Sequence, residues 1–221
     1  MIDDKKKIFF GRSKSRALSK NKKFFYENYK KDFLVNFEEI KLIKNKDFVL
    51  EIGFGYGENL LFQATTYPKD YFIGVDPFIN GVANVVQKAK ELKLNNISIL
   101  DTPVQKVIDN FVDNFFSKVF ILFPDPWMKN KQKKRRLLNY LFLEKILKKM
   151  KIKSTLIFVT DDKDYFNHVV KEISLLKKKI DTFEYSLNNR HSIVDTKYSN
   201  KANKLKKDIY FLNLDKLKNV A

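Results

Sequence analysis

This sequence predicts an α/β fold with a mostly parallel sheet covered by helices on both faces, and three observations carry that expectation. Short apolar runs alternate with stretches of helical period from Phe48 onward. A glycine-rich turn follows the first of those runs directly. Acidic residues recur where the runs end, which in such sheets is the edge where ligands gather.

Taken in order, residues 1–23 are basic and polar, with F-F-G-R-S-K-S-R-A-L-S-K-N-K-K from Phe9 to Lys23. They are expected to form a mobile arm that an anion orders, or a solvated tail. Residues 24–221 are expected to form one domain, beginning with a helix within Phe24 to Ile43. Strands are expected at Phe48–Ile52, Tyr71–Asp76, Ile97–Leu100, Lys118–Phe123 and Thr155–Thr160, with closing strands at Phe183–Leu187 and Ile209–Leu214. The intervening helices are expected at Asn59–Thr66, Ile79–Leu94, Val104–Phe116, Leu137–Met150 and Lys163–Lys178. Val82, Val85, Val86, Ala89 and Leu92 show the apolar period of the second of these.

The turn after the first strand is E-I-G-F-G-Y-G-E, with Gly53, Gly55 and Gly57 at alternate positions. Such a turn leaves a strand sharply and brings bare backbone to a ligand, or is simply tight. A pyrophosphate site follows the pattern G-x-G-x-x-G and sets its anion on the next helix. Here Glu51 and Glu58 crowd that place, which argues for a neutral or cationic ligand. Asp76 ends the next strand about 20 residues on, the spacing at which ribose hydroxyls are bound. A nucleoside without phosphates that carries a sulfonium and an ammonium fits this rim, so S-adenosylmethionine is the expected cofactor. Asp101, Asp125 and Asp161 also fall at or just beyond strand ends. Singly each could cap a helix or serve a turn, but with Glu51 and Asp76 they gather five carboxylates on one edge.

Composition bounds the partners. With 44 Lys and Arg against 26 Asp and Glu, the formal net charge is +18, which draws polyanions at long range. Most of that charge is lysine amid abundant Asn, Ile and Phe, as in the products of A·T-rich genomes. Hydrophobic residues at 44% support a folded, soluble globule. No run approaches the roughly 20 apolar residues that span a bilayer, and the first residues lack the apolar segment of a secretory signal. The absence of cysteine excludes disulfides and thiolate metal sites and is compatible with a cytoplasmic protein. Nothing in the sequence demands a metal or an obligate protein partner, and a monomer or a homodimer is expected.

A second constellation follows the fourth strand: F-P-D-P-W-M-K-N-K-Q-K-K-R-R from Phe123 to Arg136. Pro124 and Pro126 stiffen the backbone about Asp125. Trp127 offers a flat face for a base, and Lys129 through Arg135 and Arg136 form a basic run suited to phosphates. The alternative is a Pro-rich turn followed by a solvated charge run.

These motifs resemble the bacterial tRNA (guanine-N7-)-methyltransferases of the TrmB type. The resemblance rests on E-I-G-F-G-Y-G-E at 51–58, G-V-D-P-F-I-N-G-V-A at 74–83, F-P-D-P-W-M-K at 123–129 and K-R-R at 134–136. T-D at 160–161, T-K-Y at 196–198 and the basic arm extend it over nearly the whole chain. It implies a Rossmann-like class I methyltransferase that moves the methyl group of S-adenosylmethionine to N7 of a guanosine in tRNA, at position 46 of the variable loop. By position it implies that Glu51, Asp76 and Asp125 meet the methyl donor, with Asp125 also catalytic, and that Lys129, Asp161 and Thr196 meet the substrate. Arg12, Arg16, Lys129 and the run from Lys131 to Arg136 are expected on tRNA phosphates.

Three positions depart from the family pattern. Asp76 stands where the family usually has Glu. Pro103 and Val104 stand where it has Asp-Ala, so the acid near the adenine is absent or replaced by Asp101. Ser199 ends the family's T-x-x-E. Two other classes stay open on this basis, a methyltransferase for another RNA site and a weakened RNA-binding relic of the same fold. A dinucleotide oxidoreductase is disfavoured by the acidic rim.

Overall fold

The computed structural model describes Gly11, residues 17–187 and residues 196–220; Arg12 and Arg16 lie outside the described residues. Among these, seven strands form one sheet: β1 (Phe48–Ile52), β2 (Tyr71–Val75), β3 (Ile97–Leu100), β4 (Phe116–Leu122), β5 (Met150–Thr160), β6 (Phe183–Leu187) and β7 (Tyr210–Lys216). The helices are α1 (Lys20–Tyr29), α2 (Phe37–Leu42), α3 (Glu58–Thr66), α4 (Ile79–Glu91), α5 (Tyr140–Lys149), α6 (Lys163–Lys177) and α7 (Lys197–Lys204). Across the sheet the order is β3-β2-β1-β4-β5-β7-β6, all parallel except β7, which opposes both neighbours. The chain winds outward from β1 through β2 to β3, then returns to lay β4 on the other side of β1. The C-terminal ends of β1 and β4 therefore flank the reversal point where open α/β sheets take ligands.

Strand periodicity divides the core between the two faces. Leu50, Ile73, Val119, Ile121 and Phe158 pack with Leu143, Ile146 and Leu147 of α5 and with Val169, Ile173 and Leu176 of α6. Val49, Phe72, Phe120 and Ile157 point the other way, onto Leu60 and Leu61 of α3 and Val82, Val85 and Val86 of α4. Each fully buried side chain of this kind contributes roughly 1.5–3 kcal/mol, so the parallel centre is the rigid base from which the site loops rise. No helix of the described residues is long and apolar enough to cross a membrane.

Four segments differ from expectation. The helix expected over Val104–Phe116 is instead two 3₁₀ turns, Val104–Lys106 and Ile108–Asn110. Val104, Val107, Ile108 and Phe111 are buried as a helix would bury them, because three-residue turns also return every third side chain to one side. Asp109, Asn110, Asp113 and Asn114 offer short polar groups that compete with a helical backbone, and Asn114 adopts φ +56°. Strand β5 starts at Met150, five residues ahead of the expected start at Thr155. Helix α7 had no expected counterpart: K-Y-S-N-K-A-N-K is short and has only two apolar residues, Tyr198 and Ala202. Helix α1 begins at Lys20, within the stretch grouped with the basic arm.

Candidate active site

The glycine turn is held down from below and from the side. Gly53, Gly55 and Gly57 have φ of +73°, +57° and +81°, a region that side chains strain to enter. Asp76 accepts from the N–H of Gly55 at 2.8 Å and from that of Phe78 at 2.9 Å, which ties the turn to the end of β2. Asn84 of α4 donates to the Tyr56 carbonyl at 2.8 Å. Underneath, Glu51 is 4% exposed and accepts from Asn59 Nδ2 at 2.9 Å, and Asn59 in turn accepts from Gln63.

Burial sets the charge of these acids. It pushes the Glu51 carboxyl up to about 8, against the Asn59 hydrogen bond and with help from Glu58 and Asp76. Asp76 is pushed up to about 6 by burial and by Asp125, despite its two backbone donors. A carboxyl with a raised folded-state value holds its proton more tightly folded than unfolded. Its contribution is therefore complete below about pH 4.5 and lost as pH rises through about 8. Wild-type stability should fall over that window by on the order of 3–5 kcal/mol more than that of Glu51→Gln. Urea unfolding of both at pH 5 and pH 8.5 measures the difference, and equal slopes would refute it.

The second constellation projects from β4. Pro124, Asp125 and Pro126 are flanked by Phe123 and Trp127 at φ +49° and +47°. Bulky residues hold that conformation at a cost of order 1–3 kcal/mol each, and only where surroundings enforce it. Arg136 supplies the enforcement. It is 3% exposed, donates from Nε to the Pro126 carbonyl at 2.9 Å, pairs with Asp164 at 2.5 Å and lies 4.8 Å over the Tyr165 ring. This corrects the expectation that Arg136 reaches phosphates: its guanidinium is spent on the loop. Arg135 lies 5.1 Å over the Trp127 ring, so that ring already carries a cation on one face.

A cavity of about 760 Å³ joins the two constellations. Its wall includes Gly53, Gly55, Asp76, Asp125, Trp127 and Arg135. It also includes Tyr56, Phe78, Gln105, Lys197 and Lys201, none of which the sequence singled out, and Gly11. Gln105 Oε1 is buried without a hydrogen-bond partner among the described residues. It sits within the stretch expected to be a plain helix, so nothing in its pattern marked it.

Other expected site residues stand elsewhere. Glu51 lies beneath the wall, and Gly57 caps α3. Asp101 is exposed, off the wall, and close enough to Tyr26 to help burial push that hydroxyl up. Lys129 is exposed at the start of a 3₁₀ segment, Asn130–Arg135, and is also off the wall. Asp161 is paired with Lys207 at 2.8 Å. Thr196 and Ser199 are buried in each other's company: Thr196 Oγ1 accepts from Ser199 N at 3.1 Å, and Ser199 Oγ accepts from Thr196 N at 2.8 Å. They form the capping box of α7. Serine in place of glutamate thus keeps the cap.

Residues 45–212 match the model of a family described as putative methyltransferase. A stretch of 124 residues is 43% identical to a bifunctional methyltransferase of Rickettsia bellii, covering 56% of this chain and 22% of that protein, so the chain spans about a fifth of that relative. A tRNA (guanine-N(7)-)-methyltransferase of Wolbachia pipientis wMel is 34% identical over 189 residues, 83% of this chain and 82% of that protein. Among solved structures, a 16S rRNA methyltransferase superimposes with a TM-score of 0.63 at 12% identity, covering 84% of this chain and 95% of that one. At that identity the likeness is one of fold.

Proposed function

We propose, since this chain belongs to the tRNA (guanine-N(7)-)-methyltransferase family, that it methylates tRNA at N7 of a guanosine, the one at position 46 of the variable loop. The observation that carries the reading is a single cavity walled by acid and bare glycine backbone at one end and by Asp125, Trp127 and Arg135 at the other. Its volume falls within the usual range for a small-molecule site.

The residues present fit S-adenosylmethionine. A Cβ on Gly53 would meet nothing within 4 Å, so the turn leaves open space there. Asp76 and Asp125 on the wall suit a cationic ligand and repel a pyrophosphate. Gln105 Oε1, on the β3 side of Asp76, is an orphaned acceptor suited to an exocyclic amino group, and takes the role that the sequence reading considered for Asp101. When bound, this cofactor supplies an electrophilic methyl carbon on a positive sulfur.

Guanine N7 carries an in-plane lone pair and no proton, so it needs no general base. The work of the chain is to hold N7 in line, ~3–3.5 Å from the carbon it attacks, and to keep water out. Asp125, stiffened by two prolines and anchored through Arg136, orients the reacting groups and matches their positive charge. An Asp161 contact to guanine N1–H and N2 requires its pair with Lys207 to open.

The deciding experiment is transfer from labelled S-adenosylmethionine to unmodified tRNA, followed by nucleoside analysis. Formation of 7-methylguanosine, lost when guanosine 46 is replaced, is the expected result. A different methylated nucleoside would overturn the site. Binding of both donor and tRNA without transfer would favour an RNA-binding relic instead.

A further inference from the structure

The glycine turn presents Tyr56 to a group of lysines drawn from distant parts of the chain. Lys22 of α1 places Nζ 5.4 Å from the centre of the Tyr56 ring, and Lys197 of α7 places its own at 5.0 Å. Lys201, one helical turn beyond Lys197, shares the cavity wall with Lys197 and Tyr56. Tyr56 is itself fixed, edge-on to Phe78 at 5.4 Å and bonded through its carbonyl to Asn84.

Among the described residues no carboxylate pairs with Lys22, Lys197 or Lys201, whereas nearby Lys88 has Glu91 at 2.7 Å and Lys207 has Asp161. Lys22 is held below the usual lysine range by burial, and further by the charges of Lys88 and Lys197. Attraction to the ring face offsets part of that repulsion. An anion between the lysines would relieve the rest.

We infer that Lys22 and Lys197, which meet over Tyr56, form with Lys201 on the adjoining cavity wall an anion site that grips an RNA backbone phosphate beside the target nucleotide. The inference rests on the tRNA reading above and adds a contact outside the run at 129–136, joining Lys22 at the end of the basic stretch to two lysines of α7. Two sources could supply the anion, RNA phosphate or the donor's carboxylate. The phosphate is favoured because Lys197 and Lys201 are exposed and three ammonium groups outnumber the single carboxylate of the donor.

The test compares the full chain with a triple variant, Lys22→Gln with Lys197→Gln and Lys201→Gln, and with the matching triple change to arginine. Calorimetry follows S-adenosylmethionine binding, and fluorescence anisotropy follows an unmodified tRNA transcript over a range of salt. The glutamine variant should lose tRNA affinity by roughly tenfold or more near 0.1 M salt. Its plot of log affinity against log salt should flatten by about one to three units, donor affinity should stay within about twofold, and arginine should restore tRNA binding by keeping the charge. Weakened donor binding with unchanged tRNA binding would reassign the cluster to the donor carboxylate and overturn the inference. No change in either would also overturn it. A wild-type protein that binds donor but no tRNA would fail the tRNA reading itself, and the inference with it.

Discussion

Alanine at Asp125 should lower methyl transfer by about 10²–10³-fold at saturating donor and tRNA, the range seen when one preorganised electrostatic group is removed from a reaction centre. The side chain is exposed on the cavity wall, so the thermal midpoint should hardly move. The loss therefore reports chemistry rather than folding. Because N7 has no proton to surrender, the activity that remains should show no new pH dependence of the kind left by a missing base. Asp125→Asn separates the two contributions: an amide keeps hydrogen bonding and removes charge. Near-normal turnover in the alanine variant, measured in single-turnover assays, would remove Asp125 from the centre.

The second large effect is expected at Gly81, the third residue of α4. Helix propensity alone predicts that Gly81→Ala stabilises the protein by about 1 kcal/mol. Packing predicts the opposite. A Cβ there would fall 1.8 Å from the carbonyl oxygen of Gly55 and 2.9 Å from its carbon, both backbone atoms that cannot rotate aside. Relief requires moving the glycine turn, which is bonded through Gly55 N–H to Asp76. Overpacking of this sort costs typically 1–3 kcal/mol and sometimes more. The urea midpoint should fall accordingly, and donor affinity should drop by at least about tenfold as the turn is displaced. A variant more stable than wild type with unchanged donor binding would show that the turn can give way freely.

The alternation of strands and helices was legible because the two faces of the sheet impose a local period on each segment. The same test misled at Val104–Phe111, where 3₁₀ turns bury every third residue much as a helix does. It was silent at α7, whose short sequence is mostly polar. The capping signal was present in T-x-x-S, yet it resembled a substrate motif because threonine and a partner three residues on serve either purpose.

By itself the sequence determined the glycine turn after β1, the acids at the strand ends and the proline-held Asp125, because each follows from neighbouring residues and the backbone they permit. Tertiary structure alone decided what those groups face. It turned Arg136 inward onto Pro126 and Asp164, left Asp101 off the cavity wall, brought Gln105 to it, and set Lys22 and Lys197 over one tyrosine. The physical reason is range: periodicity and φ preferences act over a few residues, whereas a charge's partner depends on segments that meet only when the sheet has closed.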